Sequence, residues 1–268
     1  MKKITLLQVL CICMIAVLSS CSTFLTTAVP GSNIGYMPKP MVADSIHTLT
    51  SITGSFAGGS SPGIAFEMGM LNLSAAHTFK NFNIGYGLFG YAGKAEGGTD
   101  LQTAEDREQY LNNFKKNYAG AGLQFSIGLH NTSENGNTDF RYLSFQNSFS
   151  FENGPYTDFR RNTFNGKIPT YVAVTDRSFI WTTGLSTEII WRARRNHDIK
   201  HAFKLFIGGS PSLSNSFRFG SSISNKDGAN TVGWIFNYHL LIRRISLGLE
   251  TGTTSNFSQK ISLGYSFN

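Results

Sequence analysis

The sequence predicts an all-β chain closed into an up-and-down antiparallel transmembrane β-barrel of about ten strands, with eight or twelve as the alternatives. Three observations predict it. From position 45 onward apolar residues recur at period two, the mark of strands with two unlike faces. The second face is mainly Gly, Ser, Asn and Gln with isolated charges, where a soluble sandwich would carry Lys and Glu. Small side chains suit the interior of a narrow barrel, so the apolar face is expected to point outward into lipid. The connections alternate between compact and long, as in outer-membrane barrels with short periplasmic turns.

Composition agrees. Charged residues make up 15% of the 268, aromatics 13% with 22 Phe and 10 Tyr, and there are 28 Gly. At 41% hydrophobic, the chain is too apolar for disorder. Past the N-terminal stretch no apolar run approaches the ~18 residues of a spanning helix.

Lys2 and Lys3 precede an apolar stretch from Ile4 to Leu18, broken by Thr5 and Gln8, which reads as a signal peptide. Leu18-Ser19-Ser20-Cys21 then resembles the bacterial lipobox, which implies cleavage after residue 20 and acylation of Cys21. The alternative is an ordinary signal peptide with an incidental Cys. Ser22 follows, not the Asp that in some bacteria retains lipoproteins at the inner membrane. Of the three Cys, Cys11 and Cys13 fall in the signal, which leaves neither a disulfide nor a thiolate metal cluster. Without Lys2 and Lys3 the 23 basic residues become 21 against 16 acids, a dispersed +5 that makes no case for nucleic acid. The expected organisation is a signal peptide over 1–20, a lipidated tether over 21–44 and the barrel over 45–268. The tether is read from Pro30, Gly31, Gly35, Pro38 and Pro40 and from the lack of any period.

The strands follow in order: 45–57 and 64–75, the least regular, then 81–93, 118–130, 139–151, 179–192, 201–210, 231–242, 245–254 and 258–267. Each reaches the ~9–11 residues of a tilted span. Over 118–130, Leu123, Phe125, Ile127 and Leu129 point one way and Gly122, Gln124, Ser126 and His130 the other. Over 179–192, Phe179, Trp181, Leu185, Ile189 and Trp191 oppose Gly184, Ser186, Glu188 and Arg192. Trp181, Trp191, Trp234 and Tyr265 suit interfacial girdles. Compact connections at 77–80, 131–138, 193–200 and 243–244 alternate with long ones at 94–117, 152–178 and 211–230. Both termini then fall on the short-turn side, with the Cys21 lipid in the inner leaflet. Within 94–117, Thr103 and Asp106 cap a short helix. Lys115 and Lys116 are expected at its end, and Tyr110, Leu111 and Phe114 on one face against the barrel rim.

The lipobox, the segment Tyr36-Met37-Pro38-Lys39-Pro40-Met41, the strand end Leu73-Ser74-Ala75-Ala76-His77 and the run Phe82-Asn83-Ile84-Gly85-Tyr86-Gly87 resemble the small uncharacterised outer-membrane β-barrel lipoproteins of Bacteroidetes-type bacteria. That resemblance implies a compartment and a fold, and no active site. Tyr265-x-Phe267 resembles the terminal signature read by the barrel assembly machinery, and departs from it at Asn268. Asp44-Ser45-Ile46 resembles the short O-glycosylation sites of such bacteria, which points to Ser45.

Few residues suggest chemistry. Gly59-Ser60-Ser61-Pro62-Gly63 matches the serine-hydrolase pattern, but it lies between two strands and reads as a hairpin turn. None of the six His forms a zinc-binding helix; His77, His130, His197 and His201 fall at the short-turn rim. No cofactor, metal site or catalytic constellation is expected. Glu67, Glu188, Lys204, Glu250 and Lys260 lie on the polar face, as does Arg192. A Lys facing lipid at mid-membrane would cost ~2–4 kcal/mol. The five are therefore expected inside, as one ion-pair network closing the lumen, with a narrow polar path as the alternative. The expected function is that of an outer-membrane lipoprotein, held by Cys21 and the barrel exterior, with a structural or surface-interaction role through loops 94–117, 152–178 and 211–230. The alternatives are a barrel enzyme acting on envelope lipid or polymer, and a lipocalin-like periplasmic carrier with its apolar faces turned inward.

Overall fold

In a computed structural model, which describes residues 23–28, 33–44, 47–196, 198–223, 232–254 and 256–267, ten strands close into one ring. In chain order the strands are β1 (Thr23–Leu25), β2 (Thr48–Ser61), β3 (Ile64–Thr78), β4 (Phe82–Gly97), β5 (Phe114–Thr132), β6 (Thr138–Asn153), β7 (Val172–Thr175), β8 (Phe179–Arg192), β9 (Ile199–Gly209), β10 (Phe217–Phe219), β11 (Val232–Ile242), β12 (Ile245–Thr253) and β13 (Phe257–Phe267). The helices are α1 (Ala104–Gln109) and α2 (Pro155–Asn165). The ring runs β2-β3-β4-β5-β6-β8-β9-β11-β12-β13, antiparallel throughout, and β13 closes it onto β2 from Phe257↔Ser60 to Phe267↔Thr50. A closed ring leaves no open strand edge.

The faces follow the alternation. On β5, Leu123, Phe125, Ile127 and Leu129 are exposed, while Gln124, Ser126 and His130 are buried inside. On β8, Trp181, Leu185 and Ile189 point out and Thr182, Ser186 and Glu188 point in. Ile261, Leu263, Tyr265 and Phe267 continue the outer belt on β13. In water so large an apolar surface would be an aggregation site.

The strands run further than the sequence suggests at the long-loop end. β4 and β5 stay paired from Lys94↔Asn117 to Gly97↔Phe114, which shortens that loop to 98–113. α1 begins as expected: the Asp106 amide donates to Thr103 Oγ1 (3.1 Å) and the Thr103 amide to Asp106 Oδ2 (3.0 Å). It stops at Gln109, because Tyr110 is extended and Phe114, Lys115 and Lys116 join the ladder of β5. The expected helical face of Tyr110, Leu111 and Phe114 is therefore absent, and Lys115 instead meets Glu96 across the strands at 2.6 Å. The connection 154–178 holds α2, which Pro155 opens at its first turn, and β7. β7 is the middle strand of a small cap sheet, β1-β7-β10.

The second departure concerns the N-terminal segment, expected as a tether outside the barrel. β1 pairs in parallel with β7, from Thr23↔Val172 to Leu25↔Val174, and the Phe24 amide donates to Pro62 O in the β2–β3 turn (2.9 Å). Thr23 thus stands at the long-loop end. Residues 33–44 then descend the lumen beside β8. Asn33 Nδ2 donates to Thr182 Oγ1 (2.8 Å), Lys39 meets Glu188 (2.7 Å), and Asp44 meets Arg192 at the foot of the strand. β2 starts at Thr48, on the short-turn side. The two ends of the described chain therefore lie on opposite sides of the barrel, not together; Phe267 alone is on the short-turn side.

The third departure is Glu67. β3 turns Ile64, Phe66, Met68 and Met70 inward, so Glu67 faces out beside its ladder partner Lys94, also exposed. The reason is that this part of the lumen is lined by apolar side chains, and the inner face of β3 turns polar only at Asn72 and Ser74. The signal peptide, Cys21, Ser45, His197 and Asn268 lie outside the described residues.

Candidate functional site

The most constructed part of the molecule is the lumen and the segment that fills it. Pro38 and Pro40 lack N–H donors and hold the backbone extended, and 35–41 joins no helix or ladder. Its carbonyls and remaining amides must therefore be met by the wall. Pro40 O accepts from Thr78 Oγ1 and from Arg141 Nη2, each at 2.8 Å, and the Val42 amide donates to Asp139 Oδ2 (3.1 Å). Apolar contacts alternate with these bonds: Ile34 packs on Phe206 and Ile235, and Met41 on Ile190 and Ala202.

Across the wall runs one row of ladder partners: Arg141↔Glu188, Glu188↔Lys204, Lys204↔Asn237, Asn237↔Glu250 and Glu250↔Lys260. Antiparallel pairing brings together residues far apart in sequence and aims all of them inward. Four of the five expected luminal charges meet here. Glu67 does not, and Arg141 and Lys39 take part unforeseen. Glu188 is the hub. Its carboxylate takes Lys39 Nζ at 2.7 Å and the Tyr36 hydroxyl at 2.6 Å, with Arg141 Nε 3.9 Å away. Glu250 pairs with Lys260 at 2.7 Å. Tyr36 stacks on His239 with ring centres 4.4 Å apart, and the Lys204 ammonium lies 6.0 Å from the same ring. Glu250 and Lys260 thus close on each other across the wall, while Glu188 closes on Lys39 and Tyr36, which the segment brings in. Between Gly35, Tyr36, Asn72, Asn237 and Glu250 a void of about 20 Å³ remains, room for one water.

At the foot, Asp44 binds Arg192, Lys200 Nζ (2.6 Å) and the Met41 amide (2.7 Å). Burial raises the Asp44 pKa, but Lys200, the Met41 amide and Arg192 outweigh it and hold the carboxyl below its usual range.

At the long-loop mouth the chemistry differs. α2 folds inward, with Tyr156 fully buried against Phe66 and Tyr118. Its hydroxyl donates to Thr26 O (2.7 Å), and burial raises its pKa well above the ordinary value. Arg160 and Glu152, both inaccessible, pair at 2.8 Å. Arg160 also donates to Thr175 O (2.8 Å), and Glu152 accepts from the Ala28 amide (2.9 Å). One ion pair thus ties helix, cap sheet and N-terminal segment together.

The remaining motifs have ordinary partners. Ser61 Oγ donates to Phe24 O within the Gly59–Gly63 stretch, which joins two strands and forms no strand-to-helix elbow. His77 bonds Thr48 Oγ1 (2.9 Å), His130 bonds Phe79 O (3.0 Å) and His201 bonds the Tyr238 hydroxyl (2.9 Å). Among the described residues no three His, Cys, Asp or Glu side chains are grouped to hold a metal. A lipocalin-like carrier would need inward apolar faces around an open cavity; here the apolar faces of β5, β8 and β13 point outward and the lumen is filled.

No family model and no curated protein matches the chain. Solved structures similar to it are outer-membrane barrels. The β domain of the Bordetella autotransporter BrkA shares 7% identity at a TM-score of 0.43, over 82% of this chain and 98% of that one. The translocator domain of the autotransporter NalP from Neisseria meningitidis shares 6% at 0.42, over 82% and 88%. The outer membrane protein OprG from Pseudomonas aeruginosa shares 8% at 0.37, over 83% and 96%. At such values the likeness is to a barrel and carries neither family nor activity.

Proposed function

We propose that this chain is a bacterial outer-membrane barrel, anchored further by acylation of Cys21, that acts as a sealed scaffold presenting its long loops to surface partners. The observation that carries the reading is the filled lumen inside an apolar exterior: Tyr36 and Lys39 occupy the centre of the charged row, and α2 occupies the mouth. A barrel built for passage would leave its polar wall to water, whereas here the polar wall is spent on the chain's own segment. The membrane assignment rests on the outward Phe, Leu and Ile of β5, β8 and β13 and on the long connections all lying at one end. The Bacteroidetes-type lipoprotein resemblance, the compartment and the lipid are parts of this proposal. So is glycosylation of Ser45.

Planar bilayers test the seal. Wild-type protein is expected to show no steady ion conductance, and a variant lacking residues 33–44 is expected to conduct. Steady conductance by wild type would overturn the scaffold reading in favour of a channel. Protease treatment of intact cells tests the display: cleavage is expected within 154–178, and cleavage only after permeabilisation would turn these loops toward the periplasm.

A further inference from the structure

We infer that the lipid on Cys21 enters the membrane at the long-loop end of the barrel, on the outer side, and that residues 33–44, between the lipid and β2, are the luminal plug. The inference rests on the proposed acylation and orientation, and goes beyond both, because the lipobox alone says nothing of which leaflet receives the acyl chains.

The described contacts of Thr23, Phe24, Thr26 and Thr27 carry it. Thr23 is held between the cap sheet and the β2–β3 turn: its amide donates to Tyr171 O (2.9 Å), and its side chain lies against Gly63, where an added Cβ would come within 2.7 Å of Thr23 Oγ1. Gly63 also has φ +74°, a conformation that suits glycine, so the close seat for Thr23 and the turn depend on the same residue. Phe24 is fixed at both backbone groups, its amide donating to Pro62 O and its carbonyl accepting from Ser61 Oγ, each at 2.9 Å. From there the chain goes inward, Tyr156 and Asn256 binding Thr26 O and Thr27 O at 2.7 Å each. Cys21 is two residues before Thr23, so its Cα is within ~7 Å of Thr23 along even a fully extended chain. The short-turn rim, where Asp44 meets Arg192 and Lys200, is the whole descending segment away. A lipid at Cys21 therefore has the long-loop rim within reach and the opposite leaflet out of reach unless β1 and the plug leave the barrel.

The test labels intact cells with a membrane-impermeant amine reagent. Lys167 in the long loop and Lys80 in a short turn, both exposed, report the two sides. Ser22→Lys adds an amine beside the lipid, and heat-modifiable migration on gels shows whether the barrel has formed. The expected result is that position 22 is labelled in intact cells together with Lys167, while Lys80 is labelled only after permeabilisation. Labelling of position 22 only together with Lys80 overturns the inference. Protection of Lys167 in intact cells overturns the orientation it rests on, and an N-terminal peptide without acyl mass overturns the anchor; the two failures are thus separable. If Ser22→Lys does not fold, an epitope inserted between Ser22 and Thr23 and read by antibody on intact cells gives the same decision.

Discussion

The long-loop mouth and the charged row fill the same lumen by opposite means. At the mouth, Phe66, Met68, Tyr91, Phe114 and Tyr118 line the wall, and a returning helix inserts Tyr156 among them, as in the core of a soluble domain. Along the row from Arg141 to Lys260 the wall is charged, and what fits it is a narrow, proline-bearing strand of chain that offers a hydroxyl, an ammonium and carbonyls. The mouth gains from apolar burial, which is non-directional and tolerant. The row depends on partner geometry, because an ion left unpaired in a dry interior is heavily penalised.

The comparison is broken most directly at Lys39. Lys39→Ala leaves Glu188 with a weakened set of partners and is expected to cost ~3–5 kcal/mol if the site is dry. A tether would instead make Lys39→Ala nearly silent beside Lys204→Ala; with Lys39 in the lumen both changes are expected to be costly. Denaturant midpoints of the folded barrel decide it. The paired change Lys39→Met with Glu188→Leu should recover only part of the loss, since it removes two ions but also takes the Glu188 acceptor away from the Tyr36 hydroxyl and from Arg141. At the mouth, Tyr156→Ala is expected to cost ~3–5 kcal/mol through lost packing, but Tyr156→Phe only ~1 kcal/mol, the loss of one hydrogen bond. A comparably conservative change in the row should not be so well tolerated; if it is, the contrast is wrong. The foot is weaker. Asp44→Asn should cost about 1–2 kcal/mol at neutral pH. The native carboxyl is held below its ordinary pKa of ~3.9, so its contribution is complete above that value and is lost as pH falls through the lower folded pKa. The difference between Asp44→Asn and wild type should therefore shrink below about pH 4. Smallest of all, Lys115→Ala breaks an exposed pair with Glu96 and should leave the midpoint unchanged.

Much of the row was legible in the sequence and most of the mouth was not. On β12 and β13 the outer face is plainly apolar and the inner plainly polar, and on β8 and β9 the apolar outer face is regular enough that alternation turned Glu188, Lys204, Glu250 and Lys260 inward even though Ile190, Ala202 and Phe206 share that inner face. On β3, Phe66 and Met68 face in while Leu71 and Leu73 face out. Period two then persists while the chemical label of each face changes along the strand, and Glu67 is read to the wrong side. Lys39 and Tyr36 were hidden for another reason. A segment with prolines and no period looks like a linker, because its order comes from distant partners such as Glu188 and Arg141 and not from its own repeat. Thr103 and Asp106 were readable because a capping box is local, while the early end of α1 was not, since Phe114 is claimed by a ladder with Gly97.

The passage of residues 33–44 through a ring closed by β13 on β2 also sets an order of events. The segment leads directly into the first strand of the ring, and the last strand seals it. Its partners lie mainly on β6, β8 and β9, which follow much later in the chain. A curved sheet still open between β2 and β13 can take the segment in sideways, with Glu188 and Arg141 meeting Lys39 and Pro40 O as it curls. Once the seam has zipped from Phe257↔Ser60 to Phe267↔Thr50, the only entry is end-on. The barrel is in that sense wrapped around its own beginning, and closure of the seam is the step after which the segment is trapped.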